Sequence, residues 1–426
     1  MSRPPLRVAV LGAGTVGREV VRAFLERPER LATADGQQLA LAGVAVRDLG
    51  GARSRGVPAE LLTDAPAHLV ADPTVDVVVE LMGGDEPAHT LIAAALAAGK
   101  PVVTANKHVV AHHGPELEAI ARRTRAPLRF EAAVAGGIPV LAPLAADLAA
   151  NEIRRVRGIV NGSTNFVLTA MARDGRDYDE VIAEARAAGY LEADPRADVE
   201  GHDAVNKIVL LARLAFGRWL DPASVAHVAP AAGGEGRPGI TGVSAADMSA
   251  AASLGLVIRL VAAAERLADG SIAASVLPTA VPAVGPLGRT DGVLNRVEVT
   301  AEPLGAVAFE GPGAGGGATG SAVLGDLLAV ARGAGSTWAG LPAAAAAPET
   351  ACRPADPDGG WLVFLPGTTE ATVAAALPRA RLVPVRDGVA ARLPGDPASA
   401  RAAIGALLAQ RPAGADAVTL YRVEES

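Results

Sequence analysis

Cysteine is almost missing from this chain: Cys352 stands alone. One thiol rules out an internal disulfide and a thiolate metal cluster, and its Pro/Ala-rich surroundings make a poor setting for a catalytic nucleophile. No apolar run approaches the roughly eighteen uninterrupted residues of a membrane span. The start, MSRPPLRVAV, turns directly into a strand and lacks the longer apolar stretch of a signal peptide. The histidines (68, 89, 108, 112, 113, 202, 227) show neither HExxH nor another zinc spacing, and the adjacent His112 and His113 read as surface or capping residues. The GxSxG elbow of a serine hydrolase and the P-loop are absent. A net charge of -7, with both signs interspersed, leaves no basic footprint for nucleic acid. Neither an internal repeat nor a charge block is present. What remains is a soluble, cytoplasmic protein whose 426 residues predict two or three domains with a real core.

The first informative stretch lies near the start. Leu6–Leu11 is a short apolar strand followed at once by Gly12-Ala13-Gly14-Thr15-Val16-Gly17 and a helix over Arg18–Arg27. A GxGxxG alone is weak, but between strand and helix each glycine has a task. One makes the tight turn, one lets the backbone approach a pyrophosphate, and one lets helix and strand pack closely. The helix N-terminus supplies the anion site. The second strand, Leu39–Val46, ends in Arg47-Asp48. An acid there grips a ribose 2′-hydroxyl and favours NAD, whereas an arginine accommodates a 2′-phosphate; Arg47 comes first, which favours NADP. Val75–Leu81 is a further strand ending in Met82-Gly83-Gly84, whose small residues let backbone lie near a cofactor. A helix (Pro87–Ala98) and a strand (Pro101–Thr104) then deliver Ala105-Asn106-Lys107 at the carboxyl end of the sheet, where open α/β sheets bind ligands. Lys107 is either a site residue or an ordinary surface lysine.

Leu128–Val134 reads as a strand broken by Ala135-Gly136-Gly137-Ile138-Pro139. Glu131, an acid in an otherwise apolar strand beside a glycine turn, suits a hard cation, or is simply a hydrogen-bonded glutamate. Ile153–Val160 is a strand, and Asn161-Gly162-Ser163-Thr164-Asn165-Phe166 caps the helix after it. The region Ala185–Lys207 carries Glu192, Asp194, Asp198, Glu200 and Asp203 before Lys207. Asp203 and Lys207 are four apart and share a helix face. Between Val205 and Phe216 apolar residues occupy nearly every side, so the helix is buried and its lysine needs a carboxylate partner or a chemical role. The stretch reads as the wall of a polar substrate site.

Further on, Asp247–Glu265 reads as a long helix, and Ile272–Leu277, Val293–Thr300 and Ala306–Phe309 as strands of a sheet able to carry subunit contacts. Gly311–Gly317 is a second glycine loop leading into a helix, Ser321–Ala331. Ser336–Gly360 has a linker's composition, and the tail runs strand, helix, two strands, helix, strand, the βαββαβ order of a ferredoxin-like domain.

With these pieces placed, the chain resembles the homoserine dehydrogenase family. That family's pattern A-x3-G, a short gap, D-P-x2-D, then G-x-D-x3-K is met here by Ala185, Gly189, Asp194-Pro195, Asp198, Gly201, Asp203 and Lys207. The likeness extends through TANK (Thr104–Lys107), EAAVAGGIP (Glu131–Pro139), NGSTN (Asn161–Asn165) and GPGAGG (Gly311–Gly316), most of the chain. Ala193 departs from the proline relatives often carry, and the tail only loosely resembles an ACT regulatory domain. The resemblance implies an α/β enzyme with three parts. A Rossmann dinucleotide-binding domain covers 1–145, completed by 305–335; an α+β catalytic and dimerisation domain covers 146–304; a linker (336–358) leads to an ACT-like domain (359–426). It implies reversible NAD(P)H-dependent reduction of L-aspartate 4-semialdehyde to L-homoserine, with no aspartate kinase module fused ahead of Gly12.

By that resemblance Lys207 is the acid/base, Lys107 a second cation near nicotinamide and substrate, and Asp198 an orienting residue for the lysine. Glu192 and Asp203 hold the substrate ammonium. Gly12, Gly14, Thr15, Val16, Gly17, Arg47, Gly83, Lys107 and Gly313 hold the cofactor. Glu131 with the carbonyls of Val134, Gly136 and Ile138 matches a structural sodium site. A homodimer or homotetramer is expected, with an amino-acid effector such as threonine open for the tail, and catalytic parts complete by about Ala334. Two rivals fit less well: a phosphorylating semialdehyde dehydrogenase, which needs a thiolate, and a dinucleotide-sensing regulator, which has no use for the Asp203/Lys207 pair.

Overall fold

The computed structural model describes residues 4–54, 56–232, 234–354, 359–394, 397–409 and 418–424. The chain divides into two compact units, residues 1–154, 209–222 and 299–350 forming one and 155–208, 223–298 and 351–426 the other.

The first unit is built on a parallel sheet of β1 (Leu6–Leu11), β2 (Leu39–Ala45), β3 (Leu62–Thr63), β4 (Val77–Glu80), β5 (Val102–Thr104) and β6 (Leu128–Arg129), in the order β3-β2-β1-β4-β5-β6. A parallel sheet is covered by helices on both faces, which is why β1 and β4 read as continuous apolar runs rather than alternating ones. The helix Thr15–Glu26 follows β1 directly, and the returning helix Gly316–Ala331 packs on it. Val8, Val10, Val20, Phe24, Val79, Val323 and Leu327 meet in one buried core, so a segment three hundred residues downstream of β1 belongs to the same unit.

Two glycines at the end of β1 are required by contact. Gly12 has φ +99°, and a Cβ there would stand 2.6 Å from the Leu81 carbonyl oxygen. At Gly17 a Cβ would fall 2.0 Å from the Gly12 oxygen. Gly14 meets nothing within 4 Å, so the fold itself does not require its small size.

The second unit contains β7 (Glu152–Ile159), β8 (Ala231–Ala232), β9 (Leu256–Arg266), β10 (Ile272–Pro282), β11 (Leu294–Glu302), which is followed by β12 (Gly305–Pro312), and the tail strands β13 (Trp361–Pro366), β14 (Arg381–Val385), β15 (Gly388–Leu393), β16 (Val418–Thr419) and β17 (Tyr421–Val423). Its sheet runs β11-β7-β9-β10-β17-β13-β15-β14. Four of the tail strands, β17, β13, β15 and β14, hold the spatial order fourth, first, third, second of a βαββαβ unit, over a core of Val363, Leu365, Val373, Val389 and Ile404, while β16 pairs with β8. They are not a separate sheet: β17 pairs in parallel with β10, Thr279 opposite Arg422 and Ala280 opposite Val423.

Three expectations are corrected. Asp247–Glu265 is not one helix. A capped helix, Ala245–Ser253, ends before Gly255 (φ +77°), and β9 then pairs with β10 along its whole length, from Leu256 opposite Pro282 to Arg266 opposite Ile272. A continuous apolar run carries no period to separate buried strand from buried helix. Glu131 lies in a 3-10 turn, Glu131–Ala133, because the strand stops at Arg129. The stretch 336–358 is no free linker over its described part. Thr337 exchanges bonds with the strand end (Thr337 N–H to Leu128 O, 3.0 Å; Phe130 N–H to Thr337 Oγ1, 3.0 Å). Trp338 is 2% exposed, packed 5.5 Å from Phe130 and 6.2 Å from Trp219. Residues 355–358, and Gln410 at the end of the expected last helix, lie outside the described residues.

Candidate active site

At the carboxyl edge of the parallel sheet a cavity of about 600 Å³ is lined by Gly12, Ala13, Gly14, Arg47, Asp48, Met82, Gly83 and Glu86. Gly14 caps the helix Thr15–Glu26 with no side-chain bond, so the first backbone N–H groups (Thr15, Val16, Gly17) have no intrahelical acceptor and suit an anion. Arg47 and Asp48 are both exposed, but the Asp48 Oδ1 accepts the Gly51 N–H at 2.9 Å and so serves the next helix. The second glycine loop closes on the first within this unit. A Cβ at Gly316 would meet the Thr15 oxygen at 2.7 Å, and one at Gly136 would meet the Gly313 oxygen at 2.5 Å.

Lys107 opens the helix Lys107–Thr124 and is half-buried. Its placement depends on a residue that sequence reading passed over. Glu80, fully buried at the end of β4, accepts from Met82 N–H (2.7 Å) and from the Thr104 hydroxyl (2.6 Å). Burial pushes the Glu80 carboxyl up despite these bonds. Asn106 donates to the Gly84 carbonyl (2.8 Å) and accepts from Val109 N–H (3.2 Å), capping the helix. The signal was present in the sequence: a lone glutamate inside an apolar strand.

Glu131 is held differently from a surface acid. Its carboxylate accepts three backbone N–H groups, from Val140 (2.7 Å), Leu141 (2.8 Å) and Ala142 (2.8 Å). Oε1 takes two of them and Oε2 one, which leaves Oε2 capacity for a further partner. Its own N–H donates to Asp326, whose other oxygen takes the Arg129 Nε–H at 2.7 Å. Burial pushes the Glu131 carboxyl up and the Asp326 charge adds to this; burial raises Asp326 too. Two buried carboxylates thus lie close together, with Arg129 paired to Asp326. The adjoining loop bends through Ala135 (φ +54°) and Gly136 (φ +54°) on its way to Ile138.

The second unit holds Lys207. The helix His202–Phe216 is buried on nearly every side, and Lys207 is 7% exposed. The Lys207 Nζ donates to the Val160 carbonyl at 2.6 Å and to the Asp203 Oδ2 at 2.7 Å. Asn161 then joins two carboxylates: its Nδ2 donates to Asp198 Oδ1 (2.7 Å) and to Asp203 Oδ2 (2.8 Å). Its Oδ1 meanwhile accepts the Thr164 N–H, capping the helix Gly162–Asp174. Asp198, Asp203 and Lys207 are therefore brought together through Asn161, which the sequence marked only as a helix cap, and the Val160 carbonyl. Asp194 is not part of this group; its exposed carboxylate pairs with Arg196, which draws it down to about 2. Glu192 stands exposed on the loop after Leu191. Cys352 lies in this unit at a strand edge, its N–H on the Ile272 carbonyl.

Residues 12–131 match the homoserine dehydrogenase NAD-binding domain and residues 139–328 the homoserine dehydrogenase domain. Homoserine dehydrogenase of Mycobacterium tuberculosis is 47% identical over 332 residues, 77% of this chain and 73% of the relative.

The chain belongs to the homoserine dehydrogenase family.

The homoserine dehydrogenase of Corynebacterium glutamicum is 44% identical over 349 residues, covering 79% of this chain and 76% of that one. A crystal structure of a homoserine dehydrogenase from Thiobacillus denitrificans superposes with a TM-score of 0.84 at 33% identity, over 100% of this chain and 99% of that one. A hyperthermophilic archaeal homoserine dehydrogenase in complex with NADPH gives a TM-score of 0.64 at 28% identity, over 78% of this chain and 98% of that one. As a homoserine dehydrogenase, this chain is an oxidoreductase using a nicotinamide dinucleotide to interconvert homoserine and aspartate 4-semialdehyde. Among the described residues no helix is long and apolar enough to cross a membrane.

Proposed function

We propose that Lys207 is the general acid of the reduction and the general base of the reverse reaction. The observation that carries this is its burial together with its two acceptors, the Asp203 carboxylate and the Val160 carbonyl. A lysine so held keeps its ammonium in one orientation and away from bulk water. When bound, the reduced nicotinamide supplies a hydride to the aldehyde carbon. Negative charge then grows on the aldehyde oxygen, where an ammonium stabilises it and delivers the proton that completes the alcohol. Asp203 keeps Lys207 charged and, with Glu192, holds the ammonium of the substrate. Asp198 acts through Asn161 as a positioning residue. Lys107 is the second cation, serving cofactor and substrate.

The dinucleotide is held by Gly12, Gly14, Thr15, Val16, Gly17, Gly83 and Gly313, whose small side chains and open N–H groups admit a pyrophosphate. NADP is the preferred form in this reading: Arg47 and Asp48 both line the cavity, and the Asp48 Oδ1 is engaged with the Gly51 N–H. The NADPH bound by the archaeal relative agrees with it. Sodium at Glu131, with the carbonyls of Val134, Gly136 and Ile138, has a structural part, since a hydride transfer assisted by lysines has no need of a Lewis acid.

The enzyme works as a homodimer or homotetramer, and the second unit leaves Val284, Val293 and Leu294 exposed. The tail is a regulatory ACT-like element whose effector is an amino acid such as threonine. Sedimentation decides the assembly, and calorimetry with threonine decides the effector.

Two variants test the catalytic and cofactor readings. Lys207→Ala should lower kcat by roughly two orders of magnitude or more, the loss expected for a positioned general acid, with dinucleotide affinity little changed. Near-normal kcat in the folded variant removes Lys207 from the chemistry. Arg47→Ala should raise KM for NADPH about tenfold or more and leave KM for NADH nearly unchanged, as loss of a charge-assisted bond requires. Equal effects on the two cofactors would sink the NADP assignment.

A further inference from the structure

The fold assembles histidines that the sequence scatters. His89 begins the helix Ala88–Ala97, and His113 and Glu116 sit one turn apart on Lys107–Thr124. His89, His113 and Glu116 each present a ligand atom, and the three atoms lie within 4.8 Å of one another. The His89 Nε2 is 3.1 Å from the Glu116 Oε2. The two imidazoles are stacked, centroids 3.8 Å apart and planes 13° from parallel, so one ring must turn out of the stack before both can aim a nitrogen at one ion.

We propose that His89, His113 and Glu116 form a binding site for a borderline divalent transition metal of the zinc class. Two imidazoles and a carboxylate are a ligand set for Zn²⁺, Co²⁺ or Ni²⁺ and disfavour Mg²⁺ and Ca²⁺, which take oxygen. Zinc–ligand bonds of about 2.0–2.1 Å at tetrahedral angles put ligand atoms roughly 3.3 Å apart, close to the His89–Glu116 separation.

The surroundings fit as well. The His89 Nδ1 lies 3.2 Å from the Glu86 Oε1, opposite the nitrogen that faces Glu116. The His113 Nε2 lies 2.8 Å from the Asp85 Oδ1. Carboxylates bonded to a ligand imidazole orient the ring and raise its basicity, an arrangement common around bound zinc. Three carboxylates around two imidazoles also bring net negative charge to the spot. Glu116 is 56% exposed and His89 18%, so an ion has access and the fourth position is open to water. The site is distinct from the glutamate at 131 and uses none of its residues. Bound metal would tie the segment Asp85–His89 to the helix Lys107–Thr124, giving the ion a structural role in the first unit.

The test uses the tag-free full-length protein, stripped with a chelator and titrated with Co²⁺ and then Zn²⁺. One equivalent of Co²⁺ should bind saturably with the intense visible absorption of tetrahedral coordination, and Zn²⁺ should displace it. Zn²⁺ should also raise the melting temperature, because only the folded chain holds the three ligands together. His89→Ala, His113→Ala and the exposed Glu116→Gln should each weaken Zn²⁺ binding by at least about tenfold, and Asp85→Asn by roughly 10–100-fold. His112→Ala, whose histidine lies outside the cluster, should bind as the parent does. The proposal is overturned if the parent shows no saturable Zn²⁺ binding. It is equally overturned if Glu116→Gln and the folded His89→Ala variant bind Zn²⁺ as tightly as the parent.

Discussion

At the scale of single residues the second unit turns on Asn161. One amide carries two jobs, since its nitrogen bridges Asp198 and Asp203 while its oxygen caps a helix. A donor to a charged group contributes about 1.5–3 kcal/mol, whereas a lost cap costs about 0.5–2 kcal/mol. The bridging bonds therefore outweigh the cap. Asn161→Ser keeps a capping oxygen but cannot reach both carboxylates. It should lower kcat roughly tenfold or more, shift the pH profile of kcat and lower the melting temperature by several degrees. An unchanged kcat and pH profile would leave Asn161 a cap and nothing more.

At the scale of elements, the turn Glu131–Ala133 and the helix Leu141–Ala145 are tied by a carboxylate on three N–H groups. Those bonds favour the ionised form, but burial outweighs them and the Glu131 carboxyl stands above its usual range. The sign follows from linkage. A carboxyl raised on folding contributes stability that is complete below the ordinary glutamate range and lost as pH rises through the raised value. With choline as the only cation, the melting temperature should fall as pH climbs out of the acid range. Sodium at equal ionic strength should restore it. Glu131→Gln should remove the sodium response and flatten part of the slope, Asp326 keeping the rest because burial raises it too. Identical melting curves in sodium and choline at every pH would dispose of the cation site.

At the scale of the whole molecule, the tail and the stretch before it are built into the units. Trp338 lies in the core of the first unit, and β17 extends the sheet of the second beside β10. The expectation that a chain ending near Ala334 is sufficient is therefore revised. Such a chain loses Trp338, and deleting a buried tryptophan side chain alone costs about 3–5 kcal/mol. It also bares the β10 edge to aggregation. It should aggregate or melt far below the full-length protein, as calorimetry and sedimentation would register. A soluble truncated enzyme with unchanged melting temperature and turnover would reverse this conclusion.

Much of the site was legible in the residues alone, because its chemistry is local. GxGxxG at a strand-to-helix turn is one continuous segment, and Asp203 and Lys207 meet through the pitch of a single helix. The apolar faces of β1 and of His202–Phe216 likewise announce burial, since burial is what makes a segment apolar all round. Other features depend on partners distant in the chain. Asn161 reaches Asp198 and Asp203 only after two helices and a loop have folded back. Leu256–Arg266 is a strand because β10 offers it a register, which composition cannot disclose. His89 and His113 lie twenty-four residues apart on two helices, so no spacing rule finds them, and only the packing of those helices puts one imidazole on the other. Local chemistry is written in adjacent residues, whereas pairing and clustering are decided by which surfaces the folded chain presses together.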